Sequence, residues 1–261
     1  MSFSLFTTYY ITPCLERQNE LRACLKDNLR NETFDRIILL LDPSTPENAL
    51  REFEGDHNFS KLSIKRVQCR PTYKDWLTLS RDLLTNEISL FSNADIYFNF
   101  SLENLKNYLK KPKSFVCLSR TEDLGETKAL HPNPHWSQDV WALNSASLSE
   151  ISFLDYLNIK TGEPRCDNKI AYFFAIHGWD IYNPCYEIQA FHKHLSNFRT
   201  YNLESPINLG GMAMVHPSLS PAVPSVIDID VMVLKKDNLR QIAFNNWTER
   251  LKRPPPSGEH S

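Results

Sequence analysis

The segment Asn93-Ala94-Asp95 carries two oxygen-bearing side chains two residues apart, shortly after an apolar run that ends at Phe91. Mg²⁺ and Mn²⁺ accept oxygen ligands and keep substrate phosphates in their coordination shell, so one or two carboxylate or amide groups suffice to hold such an ion. Residues two apart on an extended segment point to the same side. The spacing therefore predicts a site for Mg²⁺ or Mn²⁺ and a diphosphate. The alternative is a simple polar turn, which these residue types also form.

Two more acidic residues stand at the starts of predicted elements. Asp167 follows Cys166 where a helical pattern begins, so its carboxylate either caps backbone N–H groups or faces a cleft. Asp139 opens a strand and is predicted to lie near the same site; the alternative is a strand-entry turn. Trp136 and Trp141 flank it and offer aromatic faces for a sugar ring, although one of them is expected to be core.

Arginines follow several of the predicted strands, where an anionic ligand would lie. Arg17 comes after the first strand, Arg70 and Tyr73 after the third, and Arg120 after a later one. A guanidinium group offers a bidentate fork to phosphate. These four residues are therefore predicted nucleotide contacts, against the alternative of solvated or ion-paired arginines on the surface.

Apolar runs and helical spacings alternate along the first two thirds of the chain, which is typical of an α/β fold with a mostly parallel sheet. Open sheets of this class bind ligands at the carboxyl ends of their strands, where the polar clusters described above fall. Strands are predicted at 3–10, 36–41, 62–68, 88–91, 115–118, 140–143 and 180–182, the last taken as the final regular element of the core, and helices at 16–29, 44–53, 75–84, 102–109 and 167–177.

Bulk properties restrict the function classes. The chain has 261 residues and a net charge of −2, which gives no general attraction to nucleic acid. No apolar run approaches the ~20 residues that span a bilayer, and the N-terminus lacks the features of a signal peptide. The six cysteines are isolated, which favours reduced thiols and a cytoplasmic location. We expect one domain over 1–201 and an extension over 202–261 with a disordered Pro-rich end.

The order of these features resembles that of GT-A glycosyltransferases, in particular the family-2-like inverting enzymes. The resemblance covers residues 3–201 and rests on a strand-end Asn-x-Asp, an acidic helix start, the Gly178-Trp179 turn into a strand, and a later histidine. It implies a GT-A, Rossmann-like fold with helices on both sides of a mixed, mostly parallel sheet. Two positions depart from the family pattern: Asn93 replaces an Asp, and Cys166 replaces a Glu.

The resemblance also implies roles for individual residues. Asp95, with Asn93, would hold Mn²⁺ or Mg²⁺ and the diphosphate, and His194 or His192 would add a metal ligand. Asp167 would be the base, and Asp139 would either compete for that role or hydrogen-bond to sugar hydroxyls. The implied partners are a nucleotide-sugar donor and a glycan or lipid-linked acceptor, with peripheral membrane contact open. Two other functions stay open: a sugar nucleotidyltransferase, although its expected Gly-rich first loop is missing, and an inactive carbohydrate-binding protein of the same fold.

Overall fold

The apolar runs of the chain form strands that alternate with helices. The computed structural model describes residues 1–196, 198 and 211–230. In these ranges the strands and α-helices are β1 (Phe3–Thr7), α1 (Leu15–Arg30), β2 (Arg36–Leu41), β3 (Leu62–Arg66), α2 (Tyr73–Leu83), β4 (Ile88–Ser92), β5 (Ile96–Phe98), α3 (Leu105–Tyr108), β6 (Ser114–Ser119), β7 (Thr121–Asp123), β8 (Lys128–Leu130), β9 (Gln138–Asn144), α4 (Cys166–Ile176), β10 (Asp180–Tyr182), β11 (Ala190–His192), β12 (Met212–Val215) and β13 (Ile227–Asp230).

The main sheet has seven strands in the order β10-β6-β9-β4-β1-β2-β3. All neighbours are parallel except β9, which runs antiparallel to both β4 and β6. The carboxyl ends of β1 to β4 and of β6 therefore meet at one edge, and the amino end of β9 lies at the same edge. This topology brings the residues that follow β1, β3, β4 and β6 together with Asp139 near the start of β9.

Side chains on the two faces of this sheet pack into two cores, because successive strand residues point to opposite faces. On one face, Phe6 and Trp141 pack with Trp76 of α2 and Phe174 of α4. On the other face, the strands pack against Leu21 and its neighbours in α1 and against α3. The sheet is thus covered by helices on both sides, as the mostly parallel pattern predicts.

A second sheet extends the edge that carries the polar residues. Its order is β5-β11-β7-β8, with β11 antiparallel to β5 and parallel to β7. The register pairs His192 with Ile96 on one side and with Glu122 on the other. His192 therefore lies opposite the residue that follows Asp95, and Glu122 lies beside His192 on the other side.

The predicted strands and helices of the first half are found, with shorter ends in several cases. Residues 44–53 and 102–109 differ: the first contains a 3₁₀ helix (Glu47–Phe53), and the second is split between a 3₁₀ helix (Phe100–Asn104) and α3. The prediction that residues 180–182 end the regular structure is wrong, since β11, β12 and β13 follow and β12 packs against α4.

The proposed boundary at residue 201 and the extension over 202–261 stay predictions. Residues 202–210 and 231–261, including the Pro-rich end, lie outside the described residues. Within the described ranges, no helix is both long enough and apolar enough to cross a lipid bilayer.

Candidate functional site

A cleft of about 650 Å³ opens at the carboxyl edge of the main sheet. Its volume lies within the range of ligand pockets in proteins, roughly 300–1,000 Å³. The sequence-predicted site residues line it, with the exception of Tyr73: Arg17, Arg70, Asn93, Asp95, Arg120, Asp139, Asp167, His192 and His194.

Asp95 lies in the turn between β4 and β5, and its carboxylate is the centre of a buried polar cluster. Its Oδ2 atom is 2.5 Å from Nη2 of Arg17, 3.3 Å from Nε2 of His192 and 4.0 Å from Nδ1 of His194. Asn93-Ala94-Asp95 is therefore a turn, as the simpler reading proposed, and the same turn also delivers a carboxylate to the cleft. Arg17 comes from the first turn of α1 and also contacts Glu20, at 3.0 Å.

Each of the two histidines directs one ring nitrogen toward Asp95, because its other ring nitrogen forms a hydrogen bond to a different residue. Nδ1 of His192 is 2.7 Å from Glu122 Oε2, and Nε2 of His194 is 3.0 Å from the carbonyl oxygen of Phe198. A carboxylate and a carbonyl only accept, so these nitrogens donate. In the neutral rings the remaining nitrogens, which face Asp95, carry lone pairs.

The donor set fits a divalent cation. One carboxylate oxygen of Asp95 and one nitrogen each of His192 and His194 lie within 4.8 Å of one another. Carboxylate ligands suit Mg²⁺ and Mn²⁺, whereas imidazole ligands suit transition metals. The same three groups also interact without an ion. Burial opposes ionisation of Asp95, but the charges and hydrogen bonds of His192 and Arg17 hold the pKa of Asp95 well below its usual range.

The charge on His192 reflects the two carboxylates beside it. Burial disfavours its imidazolium form, but the attraction of Asp95 and the hydrogen bonds to Asp95 and Glu122 outweigh that effect and raise the pKa of His192 to about 9. A bound cation would remove this proton, because a ligating nitrogen must be free of it.

Asp139 is held by two donors. Its Oδ1 atom accepts a hydrogen bond of 2.6 Å from Nδ2 of Asn93, and its Oδ2 atom is 2.9 Å from Nη1 of Arg120. Both of its carboxylate oxygens are therefore engaged. Asn93 suits this place, because its amide donates to Asp139 whereas a second carboxylate would repel it.

Asp167 is the second residue of α4 and lies partly buried on the wall of the cleft. Burial and the negative charge of Asp139 raise the pKa of Asp167 to about 7, against the opposite effects of backbone N–H groups and Arg120. The helix dipole favours its anion, but to a smaller extent than desolvation disfavours it. A carboxylate with this pKa accepts a proton readily near neutral pH.

The loop before α4 is fixed by contacts with the segment before α2. Nη2 of Arg70 donates to the carbonyl oxygen of Gly162 at 3.2 Å, and the backbone of Thr161 donates to Pro71. Gly162 has a φ of +68°, and a Cβ built there would lie 2.6 Å from Nη2 of Arg70. Arg70 thus holds the loop that leads to Asp167, with its guanidinium at the cleft.

Tyr73, which was predicted to contact the nucleotide, does not line the cleft. Thr72 caps α2 and turns Tyr73 inward, where it is fully buried and its hydroxyl is 3.4 Å from Sγ of Cys166. Of the two tryptophans, Trp141 is fully buried core, whereas Trp136 is 58% exposed at the cleft. Of these two rings, that of Trp136 is the one exposed for stacking on a ligand.

Several polar residues of the site were not found from the sequence. Glu122 contacts His192, Glu20 contacts Arg17, and Asp42 with Ser44 lines the cleft after β2. Asp42 had a usable signal, since it follows a buried strand directly. Glu122 had none, because its place beside His192 depends on the pairing of two three-residue strands.

No protein-family model and no curated protein matches the sequence. Solved structures do match the fold. The mannosyltransferase PcManGT from Pyrobaculum calidifontis, in complex with GDP-Man and Mn²⁺, is 12% identical with a TM-score of 0.50, over 73% of this chain and 56% of that one. S. aureus TarS 1-349 with UDP-GlcNAc is 12% identical with a TM-score of 0.50, over 77% and 62%.

A third match is GalNAc-T7 with UDP, GalNAc and Mn²⁺, at 11% identity and a TM-score of 0.53, over 80% of this chain and 46% of that one. The chain therefore spans about half to three fifths of the length of these proteins. Identities of this size establish the fold alone. Together with the sheet order and the cleft at its carboxyl edge, they show that this chain has the GT-A fold of nucleotide-sugar glycosyltransferases.

Proposed function

We propose that this protein is a metal-assisted glycosyltransferase that moves a sugar from a nucleoside-diphosphate sugar to a hydroxyl group of a glycan or lipid-linked acceptor. One observation carries the proposal: the carboxylate of Asp95 and the nitrogens of His192 and His194 converge in a cleft that Asp167 also lines. A cation site and a carboxylate base are two of the elements that this transfer uses, and a pKa of about 7 suits Asp167 to the second.

The donor would lie across the carboxyl ends of the strands, as ligands do in open α/β sheets. The nucleoside belongs near the ends of β1 and β2, where Tyr10 and Asp42 line the cleft. Its diphosphate belongs beside Asp95, within reach of Arg17. Arg70 and Arg120 also line the cleft, and their guanidinium groups suit phosphate oxygens.

Asp95, His192 and His194 are the residues that would hold the cation, with Asn93 beside them. When bound, the cation neutralises the leaving diphosphate. Two imidazoles in a set of three favour Mn²⁺ over Mg²⁺, because Mg²⁺ prefers oxygen ligands. Arg17, which already contacts Asp95, would add positive charge on the same side of the diphosphate.

In the chemical step, the acceptor oxygen forms a bond to the anomeric carbon while the bond from that carbon to the diphosphate oxygen breaks. The leaving oxygen takes the electron pair, and Asp167 takes the hydroxyl proton. Asp139 is less suited to this role, because both of its oxygens already accept from Asn93 and Arg120. A single displacement inverts the anomeric configuration, and NMR of the product's anomeric proton tests this; retention would contradict it.

Trp136 is the residue we assign to the acceptor, because its exposed ring lies at the cleft and apolar sugar faces stack on such rings. Trp136→Ala should raise the acceptor KM about 2- to 10-fold with little change in kcat, if the contact contributes about as much as a pair of stacked aromatic rings, ~0.5–1.5 kcal/mol. An unchanged KM would remove this assignment. A cytoplasmic location is proposed on the six unpaired cysteines, and peripheral membrane contact on the lipid-linked class of acceptor.

The decisive experiment is a thermal-shift screen of nucleotide sugars, GDP-Man and UDP-GlcNAc among them, with and without Mn²⁺, followed by a transfer assay with the ligand that binds. A ligand that binds only the folded state raises its melting temperature, and we expect the rise to need Mn²⁺. Absence of any shift contradicts the proposal. Binding of glycans without nucleotide sugars would favour an inactive carbohydrate-binding protein, and pyrophosphate-forming activity would favour a nucleotidyltransferase.

A further inference from the structure

Glu122 lies directly beside His192, because the two residues are paired in the register of adjacent strands. β7 runs parallel to β11, and the register pairs Glu122 with His192 itself. Oε2 of Glu122 is 2.7 Å from Nδ1 of His192. Only 23% of the Glu122 side chain and 10% of the His192 side chain are exposed, so water competes little for this hydrogen bond.

The second carboxylate oxygen of Glu122 is engaged as well. Oε1 lies 2.7 Å from Nε of Arg120, and Nη1 of the same guanidinium is 2.9 Å from Oδ2 of Asp139. Asp139 in turn accepts from the side chain of Asn93, whose own backbone N–H donates to the Asp139 carbonyl. A chain of hydrogen bonds thus runs from His192 to the turn that carries Asp95.

From this geometry we infer that Glu122 is a positioning residue for the cation site. Its carboxylate holds the Nδ1–H of His192 and so keeps Nε2, the nitrogen that faces Asp95, available as a ligand. Arg120 prevents the carboxylate from rotating away, because it holds the opposite oxygen. A histidine ligand that donates its other N–H to a carboxylate is fixed in tautomer and ring orientation and is more basic. The inference rests on the proposed cation site.

The isosteric variant Glu122→Gln separates orientation from bulk. A glutamine has one acceptor oxygen, so it can accept a hydrogen bond from His192 or from Arg120 but not from both. Its NH₂ group, itself a donor, then faces the N–H of the other residue. Glu126→Gln is the matched control, because Glu126 is exposed in the turn between β7 and β8 and undergoes the same change of charge. The full chain is used for all variants.

Mn²⁺ affinity is measured by titration, with the EPR signal of the free ion as the readout, so that no enzymatic activity is needed. Loss of a partner of this kind weakens metal binding about 10- to 100-fold. We expect that loss in Glu122→Gln and wild-type affinity in Glu126→Gln. Wild-type affinity in Glu122→Gln would overturn the inference. Failure of the wild-type protein itself to bind Mn²⁺ would instead contradict the proposed cation site.

A second measurement needs no variant and covers the case in which Glu122→Gln does not fold. Long-range ¹H–¹⁵N spectra of the wild-type histidines with Zn²⁺, a diamagnetic ion that accepts imidazole and carboxylate ligands, report which ring nitrogen carries the proton. The inference requires a protonated Nδ1 and a metal-bound Nε2 for His192. The opposite tautomer would overturn it.

Discussion

Asp95 and Asp167 line the same cleft but experience opposite environments. Asp95 contacts Arg17 and His192, and these cations hold its pKa well below the usual range in spite of burial. No ion pair is seen for Asp167 within the described part of the chain, and burial together with the charge of Asp139 raises its pKa to about 7. One carboxylate stays ionised, and the other exchanges its proton near neutral pH.

The two environments give Asp95 and Asp167 different chemical roles, although the residue type is the same. A carboxylate that stays charged under all ordinary conditions suits a cation ligand, whereas one that titrates near pH 7 suits a base. Pairs of titratable groups whose environments move their pKa values apart mark such divisions of labour in active sites. Each of the two carboxylates can be altered separately by substitution or by pH.

The largest expected effect is on transfer activity. Asp167→Asn removes the proton acceptor and should lower kcat about 10²- to 10⁴-fold, the usual contribution of general base catalysis. Binding of the nucleotide sugar, measured by thermal shift, should remain. Asp82→Asn, an exposed aspartate on α2, is the matched control. Full activity in Asp167→Asn would transfer the base role to another residue, with Asp139 as the first alternative.

The next effect is on stability. Asp95→Asn removes the charge that compensates buried Arg17, and breaking a buried ion pair costs about 3–5 kcal/mol. Because Arg17 keeps its contact with Glu20, we expect the lower end of that range, about 3 kcal/mol. Urea denaturation without added metal measures it. Asp155→Asn, which breaks the exposed pair with Lys74, should leave the midpoint unchanged. Equal effects of both variants would contradict the contrast.

The pH dependence of kcat should follow Asp167. Below pH about 7 its carboxylate is increasingly protonated and cannot accept the acceptor's proton, so kcat should fall tenfold per pH unit; above pH 7 it should level off. Steady-state rates at saturating donor, acceptor and Mn²⁺ provide the profile. A flat rate between pH 5.5 and 8 would show that this carboxylate is not the base.

The last prediction is that substitution of the two aspartates changes the free energy of unfolding in opposite directions at pH 8. The folded-state pKa of Asp167, about 7, lies above its ordinary 3.8, so between these values the unfolded chain binds fewer protons and stability falls as pH rises. Asp167→Asn removes this cost. We expect a higher free energy of unfolding than in the wild type at pH 8 and little change near pH 4. Destabilisation at pH 8 would contradict the burial-driven shift, whereas Asp95→Asn should destabilise at that pH.

The sequence predicted the parts of this site that depend on local signals. The buried runs of β1, β2 and β4 end at polar residues, and such ends meet at one edge of a parallel sheet, so Asn93, Asp95 and Arg17 could be placed together. Asp167 was placed by the start of a helix. His192 and His194 came from the resemblance to a family, not from spacing. The residue roles themselves stay predictions.

Features that depend on contacts between distant strands could not be predicted. β7 and β8 have three residues each and no apolar periodicity, so the second sheet and the Glu122–His192 pair left no trace in the pattern. Tyr73 was misplaced for a related reason: its neighbourhood is polar, but the cap at Thr72 turns it into the core. Local polarity does not reveal the side to which a helix start directs its first side chain.

Gly162 limits how far this site can vary in sequence. Its backbone conformation disfavours side chains, and the space where one would stand is filled by Arg70. In a library that randomises residues 160–165 to change acceptor choice, position 162 should therefore keep glycine, and position 165, whose φ is also positive at +70°, should exclude β-branched residues. The other positions of this loop can vary only as long as residue 162 remains glycine.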